Sequence, residues 1–183
     1  MRVLAQRLHK ALHPAPARDD APRGGGERAL LLIGSFGGVG YLPASGTVSV
    51  ALVGIPLFLL LAQLPPAAYL VFVSAFTLAS VWLHEAGDKV LGEHDSGKLV
   101  WDEQAGFWIA MALLPAVTWQ LVVLGFLLER GLDILKPWPA GALERRAPGG
   151  WGVVLDDVVA GLYARLLLGV ACVAAPGWLG LAP

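Results

Sequence analysis

Charge is what this sequence has least of. Only 15% of its 183 residues are Asp, Glu, Lys or Arg, against about 25% in ordinary soluble domains. The formal net charge is −1, which removes the positive field that non-specific nucleic-acid binding relies on. There is one cysteine, Cys172, so an internal disulfide and a cysteine-built metal site are both excluded. Within its apolar run Cys172 reads as a buried, inert thiol. What the chain has in excess is apolar: 56% hydrophobic residues and a mean hydropathy of +0.65. A disordered chain or a surface-charged coiled coil does not have that composition.

The few charges are gathered in blocks. Residues 1–28 carry six basic side chains (Arg2, Arg7, Lys10, Arg18, Arg23, Arg28) and three acidic ones (Asp19, Asp20, Glu27). Residues 29–84 carry none, residues 85–103 carry eight, and residues 104–128 again carry none. A second charged block runs from Glu129 to Arg146, followed by Asp156, Asp157 and a lone Arg165. Crossing a bilayer takes about 20 apolar residues, with about 17 the lower limit. The segments 48–64, 66–82 and 158–178 meet that limit, and Arg165 can snorkel from the last of them. The N-terminus lacks the apolar core of a secretory signal, and Pro14, Pro16, Pro22 and Gly24 to Gly26 break it up. It reads as a flexible basic tail over residues 1–28, on the cytoplasmic side by the positive-inside rule, ahead of a helical membrane domain over 29–183.

The expected fold is all-α: a membrane-associated bundle of two helical hairpins and a C-terminal helix. Pro65 and Pro66 break the first pair of helices. Pro115 interrupts the next apolar stretch, and Thr118 can cap a new helix. This predicts two shorter helices over 101–114 and 119–135. The leg from 103 to 114 would rise only about 18 Å, too little to cross a core of about 30 Å. So folded, the charged blocks meet on one side, at the level of lipid headgroups.

Four segments carry candidate chemistry. Gly34, Gly37, Gly38, Gly40 and Gly46 lead into Thr47 at the start of a long helix, and bare amides before a helix make an anion site. The same glycines could instead serve close packing. His94, Asp95, Asp102 and Glu103 crowd together beside an apolar helix, at a desolvation cost that a divalent cation would offset. Their hard oxygen donors favour Mg²⁺ over Zn²⁺. The helix macrodipole alone also favours acids at Asp102 and Glu103. Arg130 and Asp133 share a helical face at i, i+3, as do Glu129 and Asp133 at i, i+4. Lys136, before Pro137, falls at the helix exit, placed to neutralise a phosphate or to cap the helix. Asp156 and Asp157 open the last helix as metal ligands or as helix-start residues. His84 reads as an interfacial histidine or as a general acid. Glu144, Arg145 and Arg146 read as a solvated loop.

Taken in order, these segments closely resemble phosphatidylglycerophosphatase A, a bacterial membrane-associated lipid phosphatase. The resemblance rests on Pro43 to Thr47, on His94 to Gly97 with Val100 to Glu103 and Gly106, on Arg130 and Asp133, on Lys136 to Pro139, and on Gly149, Gly150, Gly152, Asp156, Asp157, Ala160 and Gly161. It implies Mg²⁺-dependent hydrolysis of phosphatidylglycerophosphate to phosphatidylglycerol and phosphate, the last step of phosphatidylglycerol synthesis, at the inner membrane. Three positions depart from the family pattern. Ser45 stands where the family usually has proline and is expected to loosen the loop. Glu129 and Gln104 stand where it usually has apolar residues.

The expected mechanism has Mg²⁺ held by some of Asp95, Asp102, Glu103, Asp133, Asp156 and Asp157. Arg130 and Lys136 balance charge on the phosphate, and the amides around Gly37, Gly40, Gly46 and Thr47 hold it. His84 or His94 protonates the leaving oxygen. The sequence has no Cys-x5-Arg and no Asp-x-Asp-x-Thr, which argues against cysteine and haloacid-type phosphatases. The rival readings are a small transporter or ion-binding membrane protein, with its acids lining a pathway, and a structural membrane subunit.

Overall fold

Proline and glycine set most of the helix boundaries. A computed structural model describes residues 24–181, and these form seven α-helices and no strand. Helix α1 is Gly25–Gly34. A short 3₁₀ turn, Val39–Tyr41, leads from it to α2, Ser45–Leu61. Helix α3, Pro66–Leu91, starts with Pro66 in the first turn, where a missing N–H costs nothing, and stops at Gly92 (φ 68°). Helix α4 is Trp101–Ala110 and α5 is Trp119–Leu135. Between them lies the break at Pro115, and Thr118 caps α5 by accepting from the Leu121 N–H at 3.2 Å. Helix α6, Ala140–Arg146, and helix α7, Gly150–Ala174, complete the chain.

Two helices, α3 with 26 residues and α7 with 25, are long and apolar enough to cross a membrane. Both turn large apolar side chains outward, among them Val71, Leu78 and Trp82 on α3 and Leu162, Leu166 and Val173 on α7. Helix α2 is shorter, at 17 residues. It contains a π-helical stretch, Val50–Gly54, and the Gly54 carbonyl there accepts from Trp108 Nε1 at 3.0 Å.

The short helix α4 is the hub. Seven of its ten residues are buried: Asp102, Gln104, Ala105, Gly106, Phe107, Trp108 and Ala110. Trp108 reaches α2 through Gly54, accepts the Tyr69 hydroxyl of α3 on its carbonyl at 2.6 Å, and packs its ring at a tilt against Phe76, 4.7 Å between centroids. Gly161 of α7 backs directly onto the Gly106 carbonyl, so the two helices touch backbone to backbone. A second apolar cluster, Leu31, Leu83, Leu91 and Leu99, fixes α1 to α3 and to the segment before α4.

The expected all-helical class agrees with this. The spans shift: 48–64 is replaced by Ser45–Leu61, 66–82 lengthens to Pro66–Leu91, and 158–178 becomes Gly150–Ala174. The helix expected over 101–114 stops at Ala110, and that over 119–135 is found as Trp119–Leu135. Residues 25–28, read as tail, are the first turn of α1. The rest of the tail expectation, residues 1–23, lies outside the described residues. Glu144 is not in a solvated loop. It lies on α6 and pairs with Lys136 at 3.0 Å, because α6 packs against the end of α5 and the start of α7.

Candidate active site

Four helices send polar side chains to one buried place. The first turn of α4 supplies Asp102 and Glu103, and the last turns of α5 supply Glu129, Arg130 and Asp133. Helix α7 supplies Asp156 and Asp157, and α3 supplies His84. Carboxylate oxygens of Asp133, Asp156 and Asp157 all lie within 4.8 Å of one another.

Arg130 ties three acids together. Its Nε and Nη2 donate to both oxygens of Glu129 at 2.6 and 2.5 Å, Nη2 also reaches Asp157 at 3.2 Å, and Nη1 reaches Asp133 at 3.4 Å. Lys136, in a left-handed conformation at the end of α5 (φ 45°), sets its ammonium against Asp156 as well as Glu144. His84 is fully buried, with Nε2 3.2 Å from Asp102 Oδ1 but not aligned for a hydrogen bond. Burial pushes the Asp102 carboxyl up to about 7; its hydrogen bond with Glu103 pulls the other way, and the Asp95 and Asp156 charges add to the rise. Burial and the neighbouring Asp102 charge likewise raise Glu103 well above the usual carboxylate range. Although burial alone would lower it, Lys136 is held protonated by Asp156 and Asp133.

The donor set fits a hard divalent cation. Asp102, Glu103, Glu129, Asp133, Asp156 and Asp157 face two fixed cations, Arg130 and Lys136. Within this donor set, Asp102 Oδ1, Glu103 Oε2 and Asp156 Oδ1 are buried without a hydrogen-bond partner. Buried acceptors in that state are costly unless something positive fills the space between them.

Not every candidate residue joins this group. His94 is largely exposed and bonds to Asp88 through Nδ1 at 3.0 Å. Asp95 sits in the loop after α3 (φ 55°), its N–H donating to Asp88, within electrostatic reach of Asp102 and His84. Gly37 is a turn residue at φ 71°, and Gly40 packs against the Lys98 carbonyl. Of the candidate loop glycines, Gly46 adjoins the cluster: a Cβ there would lie 2.6 Å from Glu103 Oε1 and 3.1 Å from Arg130 Nη1. Thr47 follows it, half-buried in the first turn of α2.

Four contributors went unassigned in the sequence. Glu129 is the main partner of Arg130, and Glu144 is a partner of Lys136. Asp88 accepts from the Asp95 and Ser96 N–H groups and so shapes the 94–96 loop. Gln104, fully buried, donates from Nε2 to Ser49 Oγ at 3.0 Å and to the Val100 carbonyl at 3.1 Å, joining α4 to α2. Ser45 does the reverse of loosening its loop: its hydroxyl donates to the Gly97 carbonyl at 2.5 Å.

Fold and site together define an all-helical, membrane-associated protein with an acid-rich centre buried at one end. The family model described as phosphatidylglycerophosphatase A matches residues 32–172, and the chain belongs to that family. It is 37% identical over 139 residues to the phosphatidylglycerophosphatase A of Escherichia coli, covering 76% of this chain and 80% of that one. Against the phosphatidylglycerophosphatase A of Haemophilus influenzae it is 34% identical over 142 residues, covering 76% and 85%. A protein of Bacteroides thetaiotaomicron, named provisionally as a phosphatidylinositol-3-phosphatase, is 36% identical over 148 residues, covering 77% and 92%. No solved structure matches the chain. The chain is a phosphatase of this family, and the transporter and structural-subunit readings are not favoured.

Proposed function

We propose that the protein removes the terminal phosphate of phosphatidylglycerophosphate in a Mg²⁺-dependent reaction, at the cytoplasmic face of the bacterial inner membrane. The observation that carries this is the meeting of Asp102 and Glu103, Arg130 and Asp133, and Asp156 and Asp157 from three different helices.

Asp133, Asp156 and Asp157 would hold the cation, with Asp102 and Glu103 beside it. When bound, Mg²⁺ supplies Lewis-acid polarisation of the phosphate and charge neutralisation. A water attacks the terminal phosphorus in line as the bond to the glycerol oxygen breaks, releasing inorganic phosphate, and Arg130 and Lys136 steady the phosphoryl oxygens as negative charge shifts. The Gly46 and Thr47 amides, at the start of α2, would hold the phosphate beside Arg130, which adjoins Gly46. Asp102 and His84, 3.2 Å apart, are the pair placed to pass a proton to the leaving glycerol oxygen. His94, turned out toward Asp88, takes no part.

Aromatic and charged residues support this membrane level. Trp82, Trp138 and Trp151 are exposed near the site end, and Trp119 and Trp178 are exposed at the other. Tryptophans of this kind favour the two membrane–water interfaces. The far-end segments 62–65, 111–118 and 175–181 carry no charge, while residues 1–28 add six basic groups to three acidic ones. Positive charge favours the cytoplasmic side. In this reading α2 with α3 and α4 with α5 form two hairpins, and the lipid tails stay in the bilayer during turnover.

Phosphate release from phosphatidylglycerophosphate by the purified full chain in detergent is the test. Mg²⁺ is expected to support it and EDTA to abolish it. Asp102→Asn is expected to lose at least 100-fold in kcat. Full activity after EDTA treatment or in that variant would overturn the mechanism.

A further inference from the structure

Lys98 is a buried cation that the mechanism leaves unused. The charged block 85–103 contains two lysines. Lys89 is exposed and pairs with Glu85 at 3.0 Å. Lys98 is only 9% exposed, and its Nζ is buried without a hydrogen-bond partner. Its ammonium stands over the Tyr41 ring, 5.5 Å from the centroid. A cation–π contact offsets only part of the cost of taking an ammonium out of water. Glu93, Asp95 and Asp102 lie within five residues in sequence, yet the chain gives Lys98 no ion pair among the described residues.

Its backbone is fixed against the glycine-rich loop. The Gly97 carbonyl accepts from Ser45 Oγ at 2.5 Å, the Lys98 carbonyl backs onto Gly40, and the Val100 N–H donates to the Gly34 carbonyl at 3.0 Å. Segment 96–100 is therefore laid along the glycine-rich loop. One end of that loop, Gly46, abuts Glu103 and Arg130; its exposed middle, Tyr41, lies under the Lys98 ammonium. The cations inside the carboxylate cluster, Arg130 and Lys136, are paired with its acids, whereas Lys98 has no such pair.

We infer that Lys98 receives a phosphodiester: it binds the internal phosphate of the lipid whose terminal phosphomonoester lies in the carboxylate cluster. This rests on the function proposed above and adds a specificity subsite to it. Phosphatidylglycerophosphate carries both phosphates, joined through one glycerol. Phosphatidylinositol 3-phosphate, the lipid in the name of the Bacteroides relative, has the same pair on a different polyol. A lysine that reads the diester as a point charge tolerates that change of polyol. It discriminates against phosphatidate, which has a monoester and no diester.

The test compares kcat/KM for phosphatidylglycerophosphate and for phosphatidate. Lys98→Met removes the charge and keeps the apolar stem. The ratio of the two values is expected to fall at least tenfold in this variant, through KM more than kcat. Lys98→Arg should recover most of it, and Lys89→Ala should match wild type. Equal losses on both lipids, or none on either, would overturn the assignment. A second arm needs no turnover: calorimetric titration of the full chain, in uncharged detergent, with glycerophosphoglycerol, a diester with no acyl chains. Wild type should bind it at least tenfold more tightly than Lys98→Met; no affinity in wild type overturns the subsite, whether or not the enzyme is active. Absence of phosphatase activity in wild type would instead remove the function, leaving the titration to decide Lys98. Repeating the kinetics in phosphatidylglycerol vesicles separates substrate from bulk lipid. A ratio that falls only in vesicles assigns Lys98 to a neighbouring lipid and overturns the proposal. Thermal midpoints of all variants confirm that folded protein is compared.

Discussion

Glu129 is fully buried, and both its oxygens are taken by one guanidinium, that of Arg130. Neighbours at i, i+1 do not share a helical face, so this pair was invisible to helical spacing; the length of arginine makes it possible. The spacing that was legible, Arg130 with Asp133 at i, i+3, is present but weaker, at 3.4 Å. Removing Glu129 leaves a buried cation with one strong partner fewer. Glu129→Ala is therefore expected to cost about 3–5 kcal/mol, read as a fall in thermal midpoint on the order of 10 °C. An unchanged midpoint would show that Asp157 and Asp133 satisfy Arg130 without it. Ser45 makes a smaller case. Its hydroxyl holds the loop to Gly97, and Ser45→Ala should cost about 1 kcal/mol in chemical denaturation. A proline at this position would shape the loop without that bond, which is why the family pattern alone pointed toward a looser loop.

At the scale of helices, chain-breaking residues were the readable signals. Pro65, Pro115 and Thr118 marked real boundaries. Helix α1 was missed because three glycines open the segment and its apolar run is short; packing of Leu31 against Leu83 and Leu99, not propensity, holds it. The α4–α7 contact was not legible either, since no periodicity announces that Gly106 and Gly161 meet. Their closeness brings Asp157 beside the end of α5: a Cβ at Gly106 would lie 2.8 Å from Glu129 Oε1 and 2.9 Å from the Asp157 carbonyl. Gly161→Ala would press a methyl group into the Gly106 backbone. Overpacking of this kind costs about 1–3 kcal/mol, and the shift moves Asp157, so activity should drop with stability. Gly131→Ala, with open space around the position, should instead gain up to about 1 kcal/mol from helix propensity. Equal effects of the two substitutions in melting experiments would rule out the close crossing as the cause.

For the whole molecule, the sequence showed where acids would gather because a chain broken at Pro115 has to bring distant charged blocks to one end. What it could not show was which acids would be left unpartnered, because that depends on how Arg130 and Lys136 divide themselves among them. The imbalance has a consequence for stability against pH. Burial raises Asp102 from 3.8 to about 7, and Glu103 rises as well. An acid whose folded value is raised is most easily accommodated when protonated. The stability it contributes is fully present below its unfolded value, near pH 4, and is lost as pH climbs toward 7. Metal-free protein should therefore melt at progressively lower temperature from pH 4.5 to about 7, by several degrees. A divalent cation competes with these protons for the same oxygens. Added Mg²⁺ should then raise the midpoint more at pH 8 than at pH 5, and Asp156→Asn should shrink that difference because it removes one of the three oxygens grouped with Asp133 and Asp157. A Mg²⁺ effect of equal size at both pH values, or one that Asp156→Asn leaves untouched, would place the cation somewhere other than this cluster.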